Sequence, residues 1–339
     1  MTLLFIDGFD HYGNPDSQLL YKGYTYDWEA LWDVQTVGRF GYGNCLRIQG
    51  NYALIKKNLG VNKSTIYFGG AIKKTGLGIP VVSTSYMLLQ FRDESDVSQV
   101  SLCINGNYGI NAYRNITLLG SSADNVFIDQ YWQYLEVKVT ISATVGEVTA
   151  RINGTQVLNL TSQNTKNGSD YIRYFLIRLI HDDQDTHWDD IYVDDAQFNG
   201  DCRIKTFVPD SISSVNNNFT ASAGNKDECV DDIPPTDDTD YIYSNTLNHK
   251  QTFGITTGSL GTVKGIQLNN LCRVDAGGSR KITPLIRSNS TNYLGTEIAN
   301  NVPDDYKFES EIFETDPDDS NAWTQTKLEA AEFGLEITT

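Results

Sequence analysis

The sequence predicts an all-β protein built of two successive sandwiches, and three observations carry that prediction. Apolar and polar residues alternate with a period of two along 131–198, as they do in strands with one buried and one solvated face. Turn residues separate these stretches, among them Gly146 and the pair Asn153-Gly154, which is typical of a tight hairpin. The chain has 339 residues, enough for two domains, and no long stretch has helical periodicity.

Residues 1–200 are predicted to form the first domain, a two-sheet sandwich. About a dozen short alternating stretches follow one another, separated by Gly, Asn and Asp turns. The stretch 131–198 is interpreted as an antiparallel meander that closes this domain. Because the chain ends of jelly-roll sandwiches often pair, we expect Leu3–Phe9 to lie beside Ile191–Phe198.

Residues 201–339 are predicted to form a second, smaller β-sandwich. It opens with a polar, loop-rich segment near 210–240 that contains the run DDIPPTDDTD. Alternation resumes after this segment and continues to the end of the chain, which again favours strands over helices.

Two groups of motifs resemble known proteins. The motifs DGFDHY, GEVTARINGTQVLNLT and WDDIYVDD resemble the concanavalin A-like (laminin-G-like) jelly roll over residues 1–200. The patterns VDDIPPTDDTDYIYS and VKGIQLNNLCRVDAGGSRKITPLIRS resemble the second domain that follows this jelly roll in virion proteins of tailed bacteriophages. The first resemblance implies a fold, since this sandwich serves lectins, glycanases and structural proteins alike.

The combined resemblance implies a non-enzymatic structural component of a phage particle. Such a chain would decorate the capsid, form part of the neck or collar, or belong to the tail or a fibre. Its partners would be other virion proteins and copies of itself, and it would be made in the host bacterial cytoplasm and located in the virion. The alternative is a glycan-binding module for host attachment, with a host surface glycan as its partner.

Charge and hydropathy exclude several other partners. The net charge is −17, and an acidic surface repels both nucleic-acid phosphates and anionic membranes. The first residues contain too few apolar positions for a secretion signal, and no run approaches the ~20 apolar residues of a membrane span. We therefore expect no nucleic-acid or membrane partner, and no export signal.

The sequence contains no clear set of catalytic residues. Glycoside hydrolysis needs two carboxylates about 5–10 Å apart, and the strand motif Glu-x-Asp-x-x-Glu that supplies them in the glucanase branch of the resembled fold is absent. No Gly-x-Ser-x-Gly elbow or His-x-x-x-His pair is present either. We therefore predict that the protein is not an enzyme and has no catalytic or cofactor-binding residues.

Acidic clusters raise the possibility of calcium, which favours six to eight oxygen ligands. The candidates are Asp182, Asp183 and Asp185, next to a strand that contains Asp189 and Asp190. A period of two would place Asp189 on the same face as the apolar residues that follow it. The alternative interpretation, which we favour, is that these residues cap turns and solvate strand ends, so we expect no cofactor. Two further acidic loops, at 231–240 and 316–319, miss the spacing of the calcium-loop pattern.

Two further groups of residues leave alternatives open. The aromatic residues Tyr24, Tyr26, Trp28 and Trp32 would suit a sugar-binding groove, a subunit contact or the sandwich core. Of the five cysteines, none has metal-ligand spacing, and Cys202 and Cys229 could form a disulfide or remain free thiols.

Overall fold

The computed structural model describes residues 2–13, 17–26, 31–50, 53–76, 86–179, 184–274, 280–298, 302 and 304–338. The described residues form two compact units, of which the first comprises 2–10 and 24–204. The second comprises 205–338 together with 11–13 and 17–23, which the sequence analysis had assigned to the first domain. No helix in the described part of the chain is long and apolar enough to cross a membrane.

The first unit is a sandwich of two antiparallel sheets, which confirms the predicted fold class. Its strands are β1 (Leu3–Asp7), β2 (Tyr24–Tyr26), β3 (Leu31–Gln35), β4 (Cys45–Gln49), β5 (Leu54–Lys63), β6 (Thr65–Gly76), β7 (Tyr86–Arg92), β8 (Ser98–Ile104), β9 (Ile110–Arg114), β10 (Thr117–Ser121), β11 (Gln133–Thr140), β12 (Gly146–Ile152), β13 (Thr155–Gln163), β14 (Ile172–Arg178) and β15 (Gln184–Asp194). An eight-stranded sheet has the order β13-β12-β11-β6-β15-β4-β3, with β1 also paired to β15. A seven-stranded sheet has the order β10-β9-β8-β7-β14-β5-β2.

The core lies between these two sheets, where the apolar side of each strand faces the other sheet. The Phe68 ring of β6 lies 5.5 Å from Phe175 of β14 and 6.1 Å from Trp188 of β15. All three residues have no solvent exposure. Strand β1 pairs with β15 through Leu3 to Asp194 and Asp7 to Ile191, which confirms the expected pairing of the chain ends.

The predicted meander is shorter than the sequence indicated. Strands β11, β12 and β13 are consecutive neighbours, but β14 belongs to the other sheet, between β7 and β5. The connection before β14 is bonded to that sheet, because Asn167 donates through its side chain to the Ser98 carbonyl at 2.8 Å. The prediction of one continuous meander over 131–198 was therefore wrong after β13, since alternation alone does not reveal a crossing between sheets.

A bulge in β15 overturns the predicted faces of its acidic residues. The register with β6 shifts between Asp189 and Tyr192, and Asp190 has a φ of 51°. Asp189 and Tyr192 consequently share the outer face of the sheet, whereas Ile191 points into the core, where it approaches Gly70. The prediction that Asp189 and Ile191 share a face was wrong, because the inserted residue breaks the two-residue period.

The second unit is also built mainly of antiparallel strands. Its strands are β16 (Ser211–Asn217), β17 (Thr220–Ala221), β18 (Ile242–Tyr243), β19 (Lys250–Gly254), β20 (Ile266–Cys272), β21 (Ile282–Ser288), β22 (Thr291–Leu294), β23 (Lys307–Phe313) and β24 (Glu332–Ile337), and its two short helices are α1 (Ser17–Tyr21) and α2 (Gln325–Ala330). A five-stranded sheet has the order β16-β19-β24-β21-β22, and the pairs β20-β23 and β17-β18 are separate ribbons. The segment near 210–240, predicted as loop-rich, thus contains β16 and β17.

A small core joins one ribbon of the second unit to its five-stranded sheet. Trp323, Leu328 and Phe333 are buried together, and Leu268 and Phe313 of the β20-β23 ribbon pack against them. The helix α2 contributes Leu328, and its first turn is capped by the Thr324 hydroxyl, which accepts from the Lys327 N–H. Sequence alternation did not predict this helix because it has only six residues.

Candidate functional site

The predicted calcium residues are not brought together in the described structure. Asp182 and Asp183 lie outside the residues that the structure describes. Asp185 lies on β15, with its carboxylate 3.7 Å from the Arg47 guanidinium. Within the described ranges, no group of three or more His, Cys, Asp and Glu side chains is arranged to hold a metal ion. Asp185 therefore has a cationic side chain as its neighbour, and the expectation of no cofactor stays a prediction.

The predicted aromatic cluster divides between core and surface. Tyr24 is buried in the sandwich, and its hydroxyl donates to Asp7 at 3.0 Å. Tyr26 is 46 % exposed and lies 5.2 Å from the ring of Trp32, so these two form a pair on the edge strands β2 and β3. Trp28 lies outside the described residues. The core interpretation thus applies to Tyr24, and the surface interpretations are left to Tyr26 and Trp32.

No disulfide joins any of the five cysteines, all of which lie in the described part of the chain, and Cys45, Cys103 and Cys229 are buried. Burial raises the pKa of both Cys45 and Cys103 to about 12, which keeps these thiols protonated and unreactive at neutral pH. Neither thiol is therefore a candidate nucleophile.

A buried carboxylate pair on the outer face of the eight-stranded sheet has the most perturbed acid groups of the first unit. Asp189 accepts hydrogen bonds from the backbone N–H groups of Arg39 at 2.9 Å and of Asp190 at 2.8 Å. Asp190 accepts from the Ile204 N–H at 2.7 Å and lies 3.5 Å from the Arg39 guanidinium. Burial raises the pKa of both carboxyl groups, and for Asp189 the neighbouring charge of Asp190 raises it further.

This pair fastens two chain segments to the sheet, and it is too deeply buried to contact a substrate. Asp189 is 6 % exposed and Asp190 is 2 % exposed. Perturbed acids in a cleft often mark active sites, but structural networks perturb pKa values as well. Here three of the four carboxylate oxygens accept from the backbone, at Arg39, Asp190 and Ile204, and the fourth, Asp190 Oδ2, lies 3.5 Å from the Arg39 guanidinium, so we assign the pair a structural role.

Replacing Asp190 by Asn tests this assignment through its pH dependence. A raised pKa means that the folded chain holds the proton more tightly than the unfolded chain, so the pair's contribution to stability falls as pH rises above the ordinary value of 3.8. Asn keeps an oxygen acceptor for the Ile204 N–H and removes the buried charge. We expect Asp190→Asn to become progressively more stable relative to the unsubstituted chain between about pH 4 and about pH 6.

Urea unfolding at a series of pH values measures this difference. The matched control is Asp124→Asn, at an exposed aspartate of the same unit. An identical pH dependence for the two variants would show that burial of Asp190 has no effect on its ionisation.

A shallow groove of about 440 Å³ lies on the outer face of the same sheet, away from the buried pair. Four strands contribute to its floor and walls, namely β6, β11, β12 and β13, and the segment that follows β15 closes one side. The residues that line it are Tyr67, Lys138, Glu147, Thr149, Arg151, Gln156, Asn159, Thr161, Ala196, Gln197 and Phe198. The volume lies within the range of about 300–1,000 Å³ that is usual for small-ligand sites.

The groove has an aromatic side. The rings of Tyr67 and Phe198 lie 5.0 Å apart and nearly perpendicular to each other. The Arg151 guanidinium lies 4.0 Å from the centre of the Phe198 ring. Both rings are partly exposed, so they offer apolar surface next to polar groups.

The polar side of the groove contains amide, hydroxyl and charged groups. Glu147 accepts from Lys138 at 2.5 Å and from the Thr149 hydroxyl at 3.1 Å. Burial alone would lower the pKa of Lys138, but the bond to Glu147 and the adjacent Tyr67 raise it, so the side chain is charged. Gln156 and Asn159 on β13 are exposed at the edge of the sheet.

A hydrogen-bond network fixes the segment that carries Phe198. Glu136 is 1 % exposed, and its Oε1 atom accepts from the Tyr192 hydroxyl at 2.6 Å and from the Gly200 N–H at 2.8 Å. The Tyr192 oxygen in turn accepts from the Asn199 N–H at 2.9 Å. These bonds hold the backbone directly after Phe198 against the sheet, so the aromatic side of the groove is built into the fold.

The groove does not contain the pair of carboxylates that glycoside hydrolysis requires. Among its described lining residues Glu147 is the sole carboxylate, and both of its oxygens are engaged by Lys138 and Thr149. What the arrangement offers is ring surface with hydrogen-bond donors and acceptors around it, which suits binding.

The alternating pattern of the sequence did not predict this groove, although one hairpin contains part of the signal. The pair Asn153-Gly154 sets the hairpin register, and from that register Arg151 is expected opposite Gln156, as the structure shows. The contributions of Tyr67 and Phe198 come from distant parts of the chain. No local pattern reveals that they meet.

Comparisons with known proteins give only distant likenesses. No protein-family model matches the sequence, and no curated protein matches it. One similar solved structure is the endo-β-1,4-glucuronan lyase from the fungus Trichoderma reesei, at 14 % identity and a TM-score of 0.41, covering 57 % of this chain and 95 % of that one. Another is the catalytic domain of the glycoside hydrolase family 131 protein from Coprinopsis cinerea, at 12 % identity and a TM-score of 0.42, covering 60 % and 98 %.

A third similar structure is the carbohydrate recognition domain of Emp46p in its potassium-bound form. It has 8 % identity and a TM-score of 0.40, and the match covers 58 % of this chain and 97 % of that one. At these values the likeness carries no conclusion about what this chain binds or does.

Proposed function

We propose that the first unit is a non-catalytic glycan-binding module and that the groove on its eight-stranded sheet is the binding site. The observation that carries this proposal is the juxtaposition of the Tyr67 and Phe198 rings with the exposed amides of Gln156 and Asn159. A sugar ring has an apolar C–H face and a rim of hydroxyl groups. Aromatic rings match the first, and amide and charged side chains match the second.

The shape of the site also supports a glycan over a compact cofactor. The groove is open along the edge strand β13, so a ligand chain can extend beyond the lined volume. Its lining is rigid, because β6, β11 and β12 are paired without a shift in register and the Phe198 segment is held by Glu136. A preformed site loses little conformational entropy on binding, which favours weakly interacting ligands such as sugars.

The setting that the sequence resemblance implies is a virion protein of a tailed bacteriophage, and it stays a prediction. A glycan-binding module is compatible with that setting, because attachment to a host surface needs recognition without turnover. Mass spectrometry of purified particles tests it, and particles without this chain would remove the setting while leaving the binding proposal intact.

A glycan microarray tests the binding proposal. We expect the full chain to bind a defined subset of glycans, and we expect Phe198→Ala to weaken that binding at least about tenfold, as loss of a stacking ring does. The matched control is Tyr26→Ala, which removes an exposed aromatic ring at the opposite edge of the sandwich.

Two outcomes would contradict the proposal. One is the absence of any glycan signal for the full chain. The other is a loss of binding in Tyr26→Ala with none in Phe198→Ala, which would move the site to the edge strands β2 and β3.

A further inference from the structure

The groove differs in charge from the protein as a whole. The chain has a net charge of −17, yet the groove lining contains two cations, Lys138 and Arg151, and one carboxylate, Glu147. The lining is therefore net positive by one charge. Lys138 and Glu147 neutralise each other through their 2.5 Å bond, so the uncompensated charge belongs to Arg151.

Arg151 has no ion-pair partner among the described residues. Its guanidinium lies over the Phe198 ring at 4.0 Å from the ring centre. A guanidinium stacked on a ring keeps its N–H donors available in its own plane, in a fork that matches a carboxylate. The contact with the ring limits the freedom of the side chain before any ligand arrives, which reduces the entropy lost on binding.

The neighbour of Arg151 across the strand pair is also a donor. Arg151 pairs with Gln156 in the register of β12 and β13, and both side chains line the groove. The side-chain amide of Gln156 therefore provides N–H donors beside the guanidinium. A planar anion bound by Arg151 would consequently meet further N–H donors at its edge.

We infer that the glycan carries a carboxylate, as uronic and sialic acids do, and that Arg151 is the residue that selects it. This inference rests on the proposed glycan-binding function of the groove. A neutral sugar would leave the Arg151 charge without a counter-charge, whereas a carboxylate forms a charge-assisted, bidentate pair with it. A sulfate ester can also accept two bonds from the guanidinium fork, so a sulfated ligand is the comparison that tests the choice of anion.

Calorimetric titration of the full chain tests the inference with paired ligands. The panel consists of uronic-acid and sialic-acid oligosaccharides, each with its methyl ester, which removes the charge and keeps the sugar rings, and of a sulfated neutral oligosaccharide. We expect the acids to bind at least about tenfold more tightly than their esters, and we expect added salt to weaken the acids alone.

Variants of Arg151 assign the preference to this residue. Arg151→Gln is expected to reduce the ratio between acid and ester to about one, and Arg151→Lys, which keeps the charge without the fork, to leave an intermediate ratio. The control is Arg114→Gln, on β9 of the other sheet. Unchanged thermal unfolding of each variant shows that the fold is intact.

The possible failures are distinguishable. Equal binding of acids and esters, binding of neutral glycans alone, or an unchanged preference in Arg151→Gln would overturn the carboxylate inference and leave the glycan site in place. Tighter binding of the sulfated ligand than of every acid would overturn the choice of anion. Binding of no glycan of any kind would overturn the proposed function itself.

Discussion

Replacing Glu136 by alanine is expected to lower the free energy of unfolding of the first unit by about 2–4 kcal/mol, because it leaves one buried and one partly buried donor without an acceptor. These donors are the Tyr192 hydroxyl and the Gly200 N–H, and both bond to the same atom, Glu136 Oε1. Glu136→Gln keeps an oxygen at that position, so we expect it to cost less than about 1 kcal/mol. Urea unfolding followed by circular dichroism measures both variants.

The same substitution is expected to weaken glycan binding. Gly200 follows closely after Phe198, so releasing its N–H loosens the segment that forms the aromatic side of the groove. Glu136→Gln is again the control, since it should bind glycan like the unsubstituted chain. A similar loss of stability in the two variants would mean that the negative charge of Glu136, rather than its acceptor atom, is what the fold requires.

Replacing Trp188 by alanine is expected to have the largest effect on stability, a loss of about 3–5 kcal/mol. The side chain has no solvent exposure and lies in the core beside Phe68, on a strand paired on both sides. Removing the ring leaves a cavity that the two sheets cannot close, because their strands are held in register. The loss in the free energy of unfolding, measured by urea unfolding, is therefore expected to be several times the average for a point substitution.

Trp188→Phe separates the contribution of the indole N–H group from that of the apolar ring. The indole N–H of Trp188 is buried without a hydrogen-bond partner, so phenylalanine loses no hydrogen bond and keeps most of the apolar volume. We expect Trp188→Phe to lower the free energy of unfolding by less than half as much as Trp188→Ala does. The surface comparison is Trp132→Ala, a half-buried ring in contact with Lys73. A loss of less than about 1 kcal/mol in Trp188→Ala would contradict the position assigned to the core.

The alternation of apolar and polar residues predicted the strands well where a strand pairs regularly with the strands on both sides. Along β11, the apolar residues Leu135, Val137 and Val139 have no solvent exposure, as the two-residue period indicates. The pairing of β1 with β15 also followed from sequence, because closing strands of such sandwiches meet. In these places the two-residue pattern and the tertiary structure direct the same residues into the core.

The sequence could not predict features that depend on partner strands. The bulge at Asp190 lies between the part of β15 that pairs with β4, which ends at Trp188, and the part that pairs with β1, which begins at Ile191, and the alternation within β15 does not indicate the shift. The position of β14 in the seven-stranded sheet was equally unpredictable, since its apolar run fits either sheet. Both errors arose where register, not composition, decides the outcome.

The candidate site was the least predictable part of the molecule. Tyr67 and Phe198 are separated by more than a hundred residues and meet only because the segment after β15 folds back over the sheet. The composition of the aromatic cluster near residue 26 indicated a possible sugar-binding groove, but burial makes Tyr24 a core residue. Composition therefore identified candidates for stacking, whereas tertiary contacts decide which rings border a groove.

Hydrogen–deuterium exchange of the full chain, with and without a glycan that binds on the array, tests directly whether the groove is the glycan site. We expect slower exchange on binding in β11, β12 and β13 and in the segment around Phe198, and we expect Phe198→Ala to show less protection at the same glycan concentration. Protection confined to β2 and β3, or to the second unit, would contradict the assignment of the groove as the glycan site.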